Sequence, residues 1–133
     1  MGVQLFCDDS GIYSTSDILA IGLISTSKAQ RVELRKLIAD ARQLSGCHNE
    51  MHLKSMSKKR YDLYKRVILG SMDYLRFYVG VIHKENLNLS WFGKKKYISL
   101  NYFTKKVVCR FVNPGMNAVL FLDDKSTLKS RIL

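Results

Sequence analysis

The sequence holds a single proline and only eight glycines among 133 residues. Such a chain lacks the composition of a disordered linker or a low-complexity tail. No apolar run approaches the roughly 20 residues needed to span a bilayer, so no membrane segment is expected. The opening Met1-Gly2-Val3-Gln4 has neither the basic nor the long apolar region of a secretory signal. Phe6 stands where a myristoylation signal prefers Ser or Thr. Cysteine occurs three times, at Cys7, Cys47 and Cys109. An odd count without paired spacing argues against a disulfide framework and fits a reducing, cytoplasmic setting. A Gly-rich phosphate loop and a G-x-S-x-G nucleophile elbow are both absent.

Acidic residues are scarce as well: 11 against 22 basic ones, for a net charge of +11. Between Asn86 and Leu122 there are six basic residues and no acidic one. This imbalance points to a polyanionic partner, nucleic acid before an anionic membrane surface, with a merely solvated basic surface as the plain alternative. Apolar content of 47% with 25% charged residues is ordinary for a globular protein. The length suits one domain over residues 1–133 with a core of its own.

Hydrophobic patterning predicts strands over residues 3–8 and 18–25, joined by a turn-rich stretch as an antiparallel hairpin. Thr26 or Ser27 can cap a helix in which Leu34, Leu37, Ile38, Ala41 and Leu44 share a face, closed by Gly46. Cys47 to Met56 has no period. Ser57 caps a second helix with Tyr61, Tyr64, Val67 and Ile68 on one face. A strand over residues 74–83 and a loop over 86–96 follow. A third helix over about 97–112 turns Tyr102, Phe103 and Val107 inward, and Asn113-Pro114-Gly115 stops it. Ala118 to Leu122 is continuously apolar, as in a strand buried on both faces. A final basic helix is expected over 127–133. The order predicts a mixed α/β sheet with helices on its faces.

Two apolar runs end in acidic pairs: Leu5-Phe6-Cys7 runs into Asp8-Asp9, and Leu120-Phe121-Leu122 into Asp123-Asp124. In α/β sheets, ligand sites form at the carboxyl ends of strands. Converging carboxylates repel unless a cation joins them, and a hard divalent ion, Mg²⁺ or Mn²⁺, takes oxygen ligands. Such an ion can support phosphoryl transfer. The plain alternative is that these aspartates serve turns and caps. Cys47-His48 and His52 lack the paired spacing of a zinc site. Cys7 and Cys109 read as core thiols. The basic groups are Lys58-Lys59-Arg60, Lys94-Lys95-Lys96 and Lys105-Lys106. The middle one follows Trp91-Phe92-Gly93, so it suits either base stacking with lysines on the phosphates or a solvated loop with an apolar anchor.

The chain resembles the DUF3800 family. The motif Asp8-Asp9-Ser10-Gly11 is similar to that family's strand-ending Asp-Glu-Ser-Gly. The stretch from Glu50 and His52 through Lys54 to Lys58-Lys59-Arg60 is similar to its acidic motif ahead of a helix, and Leu122-Asp123-Asp124 to its later acid-ended strand. Asp9 replaces the usual Glu, and no acid follows Asp124, so the expectation is a shortened member, a fragment, or an incomplete active site. The resemblance implies a ribonuclease H-like mixed sheet with an N-terminal hairpin and flanking helices. It also implies a metal-dependent nuclease, with Asp8, Glu50 and Asp123 as catalytic ligands of Mg²⁺ or Mn²⁺, and Asp9 and Asp124 as helpers. Lys54 and the basic groups would hold phosphates. The alternatives are a non-enzymatic nucleic-acid-binding subunit, or an interaction module. In either, a protein partner or second copy completes the site.

Overall fold

The computed structural model describes residues 2–49, 51–52 and 56–122. They contain four strands, β1 (Val3–Ser10), β2 (Ile18–Ser27), β3 (Arg76–His83) and β4 (Ala118–Leu122), and three helices, α1 (Lys28–Ser45), α2 (Lys58–Ser71) and α3 (Lys96–Phe111). Short 3-10 turns lie at Lys84–Asn86 and Leu89–Phe92, the second of them within the stretch 86–96 expected to be plain loop. The strands form one four-stranded mixed sheet in the order β3-β2-β1-β4. The chain divides into two compact units, one of residues 1–25 and 77–133, the other of residues 26–76.

The first unit holds the sheet and α3. Gly11 lies against Ile18, and Gly22 against Asp8, so β1 and β2 run antiparallel as a hairpin. Gly80 approaches Ile21, while the Lys84 N–H donates to the Asp17 carbonyl at 2.8 Å, so β3 is antiparallel to β2. β4 pairs with β1 in parallel, with Leu5 opposite Leu120 and Cys7 opposite Leu122. The carboxyl ends of β1, β3 and β4 therefore meet at one end of the sheet, beside the β1–β2 loop. β2 is central and alternates as a half-buried strand should, with Leu19, Ile21 and Leu23 sealed from solvent. They pack with Leu5, Cys7 and Ile12, and with Leu100 and Val107 from α3. Each such aliphatic side chain contributes about 1.5–3 kcal/mol by leaving water.

The run 118–122 does form a strand, but not one buried on both faces. β4 is last in the sheet order, and Val119, Leu120, Phe121 and Leu122 all remain exposed. Its main cover is β1, where Phe6 stacks on Phe121 with ring centroids 4.8 Å apart. In α3 the buried face is Ser99, Leu100 and Val107, with Phe103 half-buried, while Tyr102 is exposed. Ser99 is tolerated inside because its hydroxyl donates to the Lys96 carbonyl at 2.7 Å.

The second unit is a pair of helices. Ser27 caps α1 through a capping box with Gln30, and Gly46 closes it in the left-handed conformation. Ser57 accepts from the Arg60 N–H at the start of α2. The small core is Ala41, Leu63 and Tyr64, with Val67, Cys47 and Met51 against it. This corrects the helix phases: Tyr61 and Ile68, expected inward, are exposed because the buried stripe of α2 runs through Leu63 instead, and Leu44, expected inward on α1, is exposed as well. The expected last helix, over 127–133, lies outside the described residues.

Candidate functional site

β1 delivers Asp8 and Asp9 to the carboxyl end of the sheet. Strand alternation puts Asp9, half-buried, on the face of Leu5 and Cys7, and Asp8, exposed, on the face of Phe6. The Asp9 N–H donates to Asp8 Oδ1 at 2.8 Å, which folds the Asp8 carboxylate back against the strand. Both aspartates line a small depression with Cys7, Asn101 and Thr104 of α3, and Leu122 of β4. Its free space of about 10 Å³ is close to what one water molecule fills. Asp123 follows Leu122 directly in sequence. Asp123, Asp124, Glu50 and Lys54 lie outside the described residues. Among the described residues, no group of three or more His, Cys, Asp or Glu side chains stands ready to hold a metal ion.

The donors around the depression are oxygens: two carboxylates, one amide and one hydroxyl. Such a set suits Mg²⁺ or Mn²⁺ rather than a soft metal. The one sulfur present does not compete. Burial, reinforced by the charges of Asp9 and Asp8, pushes the Cys7 thiol up to about 11, so it stays protonated at neutral pH. Cys109, expected in the core, is instead exposed on α3. Alkylation with iodoacetamide at pH 8 should therefore modify Cys109 readily and leave Cys7 intact. Relative to an ordinary thiol at 9.0, the thiolate fraction of Cys7 is lower by about 100-fold, before burial slows attack further. Equal labelling of the two cysteines in native protein, read by peptide mass spectrometry, would contradict this arrangement.

The hairpin loop next to the acids builds a larger open cavity of about 560 Å³. Ser14, Thr15, Ser16 and Asp17 line one side, His83 and Lys84 another, and Lys96 a third. The Lys84 ammonium donates to the Ser14 carbonyl at 2.8 Å and ties β3 to the loop. Tyr13, exposed on the same loop, sits under Lys96, whose Nζ is 6.0 Å from the ring centroid. Partial burial, with the Asp9 charge added, raises the Tyr13 hydroxyl above its ordinary value. Sequence reasoning missed this cavity. Its residues come from three separated segments, and its one local signal was the polar run Ser14-Thr15-Ser16-Asp17 after the acidic pair.

Of the expected phosphate-binding groups, Lys94, Lys95 and Lys96 are exposed where α3 begins, and Lys105 and Lys106 are exposed on α3. Lys95 is the N-cap of α3 and makes no side-chain capping bond; no acidic residue occupies the first turn. Cations at the positive end of a helix dipole oppose helix stability. Lys58, Lys59 and Arg60 form the first turn of α2 in the other unit. There Arg60 borders a depression of about 390 Å³ with Cys47 and His48. Tyr64 fixes the nearby chain by accepting from the His52 N–H at 2.8 Å and donating to the His52 carbonyl at 2.9 Å.

No family model and no curated protein sequence matches the chain. Among solved structures, it is similar to RNase HII from Archaeoglobus fulgidus, determined in a complex with PCNA. The TM-score is 0.56 at 16% sequence identity, over 93% of this chain and 64% of that one. The chain thus spans less than two thirds of the length of that neighbour. With the four-stranded mixed sheet and its helices, the likeness makes the fold ribonuclease H-like. None of the described helices is long and apolar enough to cross a membrane.

Proposed function

We propose that this protein is a nuclease-like nucleic-acid-binding protein that holds one divalent cation, Mg²⁺ or Mn²⁺, at the carboxyl end of its sheet. The observation that carries this reading is the parallel pairing of β1 with β4. It sets the strand containing Asp8 and Asp9 beside Leu122, the residue that Asp123 follows in the sequence. Asp8, Glu50 and Asp123 would hold the ion, with Asp9 and Asp124 as helpers. When bound, the ion supplies charge stabilisation to displacement at phosphorus. The chain's own groups supply the rest. Lys94, Lys95, Lys96, Lys105 and Lys106 draw in the phosphate backbone, and Lys54, Lys58, Lys59 and Arg60 add to the attraction. Membership of the DUF3800 family is proposed on the order of the acidic motifs. So few carboxylates favour one ion over two, and weak turnover from the isolated chain. A second reading, supported by the net charge of +11, keeps the binding and drops the catalysis. A protein partner or a second copy would then complete the assembly, and the neighbour's complex with PCNA is a precedent for a protein partner.

The test follows Mn²⁺ binding by electron paramagnetic resonance, and cleavage of single- and double-stranded DNA and RNA, for wild type and Asp8→Asn. We expect loose Mn²⁺ binding that weakens in Asp8→Asn by at least the roughly 10-fold that even an outer-shell partner costs. Cleavage should be weak or nil, and any present should vanish with EDTA and in the variant. Mn²⁺ binding or robust cleavage that survives Asp8→Asn would remove the acidic pair from the mechanism.

A further inference from the structure

Trp91 is the only tryptophan of the chain, and it is 78% exposed. Its surroundings are ordered. The Trp91 N–H donates to the Asn88 carbonyl at 3.2 Å, that of Gly93 to Ser90 at 3.3 Å, and that of Lys95 to Phe92 at 3.1 Å. The next ring, Phe92, is half-buried and packs 5.4 Å from Tyr102 and 6.1 Å from Phe103. Phe92 is thus the anchor of the turn, and Trp91 is the ring left outside. Tyr102 is also exposed, but Lys106 lies over it with Nζ 5.4 Å from the ring centroid. Lys94, Lys95 and Lys96 follow within five residues of Trp91, in a stretch without any acidic residue.

We propose that Trp91 is a stacking platform for an unpaired base of a nucleic-acid strand, whose phosphates lie along Lys94, Lys95 and Lys96. A nucleotide presents a flat π face and a negative charge a few ångströms apart, and an exposed indole beside lysines complements both. An apolar pocket on a protein would match the indole and leave the lysines without counterparts. A bilayer surface would match both, but it rewards a broad apolar face, and here the adjacent aromatic is turned inward. Bases inside a duplex hide their faces from such a ring, so the substrate class is single-stranded, looped or frayed nucleic acid. The inference rests on the nucleic-acid half of the proposed function and is independent of the metal ion.

A sole, exposed tryptophan makes the test direct. Intrinsic fluorescence is titrated in EDTA with a 20-nucleotide single strand, with the matching blunt duplex, and with vesicles containing anionic phosphatidylserine. Anisotropy of labelled oligonucleotides gives affinity separately. We expect saturable quenching by the single strand and much less by the duplex. Trp91→Ala should lower single-strand affinity by about 10-fold, with Trp91→Phe recovering most of it. The slope of log affinity against log salt should stay unchanged in Trp91→Ala, since the lysines still neutralise the same phosphates. Equal quenching by duplex overturns the proposal, as does single-strand binding by anisotropy without quenching, or affinity unaltered in Trp91→Ala. Either of the last two leaves general nucleic-acid binding intact. A blue shift with vesicles alone would assign the surface to membranes. Loss of Mn²⁺ binding, with quenching retained, would strike only the metal site.

Discussion

Replacing Gly11 with alanine should lower the stability of the chain by about 3–5 kcal/mol, a large part of the 5–15 kcal/mol of an ordinary domain. Two separate costs combine. The backbone at Gly11 has φ of +101°, a conformation that side chains rarely adopt. An added Cβ would also stand 2.2 Å from the Ile18 carbonyl oxygen and 3.3 Å from its carbon. The obstacle is backbone, not a side-chain tip that can swing aside, so the hairpin between β1 and β2 must open. That hairpin frames the end of β1 where Asp8 and Asp9 sit, and it carries Tyr13. Gly93→Ala is the matched control. Its φ is +60°, but nothing lies within 4 Å of the added carbon. It should cost about 1 kcal/mol through conformation alone. The measurement is the urea midpoint at unchanged m-value. Similar shifts for the two variants would mean that the close approach at Ile18 contributes little.

The same hairpin shows what could be read from the sequence. Local chemistry was legible. Ser27, Gly46 and Ser57 punctuate helices because a hydroxyl acceptor and a left-handed glycine are requirements of the helix ends themselves. The alternation of Leu19, Ile21 and Leu23 likewise marked a strand, and the acidic pair Asp8-Asp9 marked the carboxyl end of β1. What failed depended on neighbours. An apolar run such as Val119 to Leu122 specifies a strand but not its place in the sheet, and here the place is an edge. In α2, apolar residues surround the helix closely enough that two phases fit. Packing chose Leu63, Tyr64 and Val67, and left Ile68 outside. Cys109 was assigned to the core because it follows two valines, although its own position on α3 faces solvent. The cavity joining Ser14, His83, Lys84 and Lys96 required β3 to end beside the first loop, which no local pattern encodes.

The lysine run at the start of α3 should show opposite effects on binding and on stability. Exchanging Lys94, Lys95 and Lys96 for alanine should flatten the slope of log affinity against log salt by about 0.7–0.9 for each phosphate no longer neutralised, or roughly 2–2.7 if all three lysines touch phosphate. Between 50 and 200 mM salt, wild type would then lose about 30-fold more affinity than the variant. The single exchange Lys95→Asp separates function from folding. Lys95 is an N-cap without a capping bond, and its charge adds to the positive end of the helix. An aspartate there can accept an N–H of the first turn and reverses the sign of the dipole interaction. It should therefore stabilise the chain by about 1 kcal/mol. Its negative charge should simultaneously weaken nucleic-acid binding, more strongly than Lys95→Ala does. Stability is read by denaturant midpoint and binding by anisotropy at several salt concentrations. A stabilised variant that binds as wild type does would mean that these lysines are only a solvated surface. A variant both weaker in binding and less stable would mean that Lys95 supports the fold, and that the salt dependence must be sought at Lys105 and Lys106.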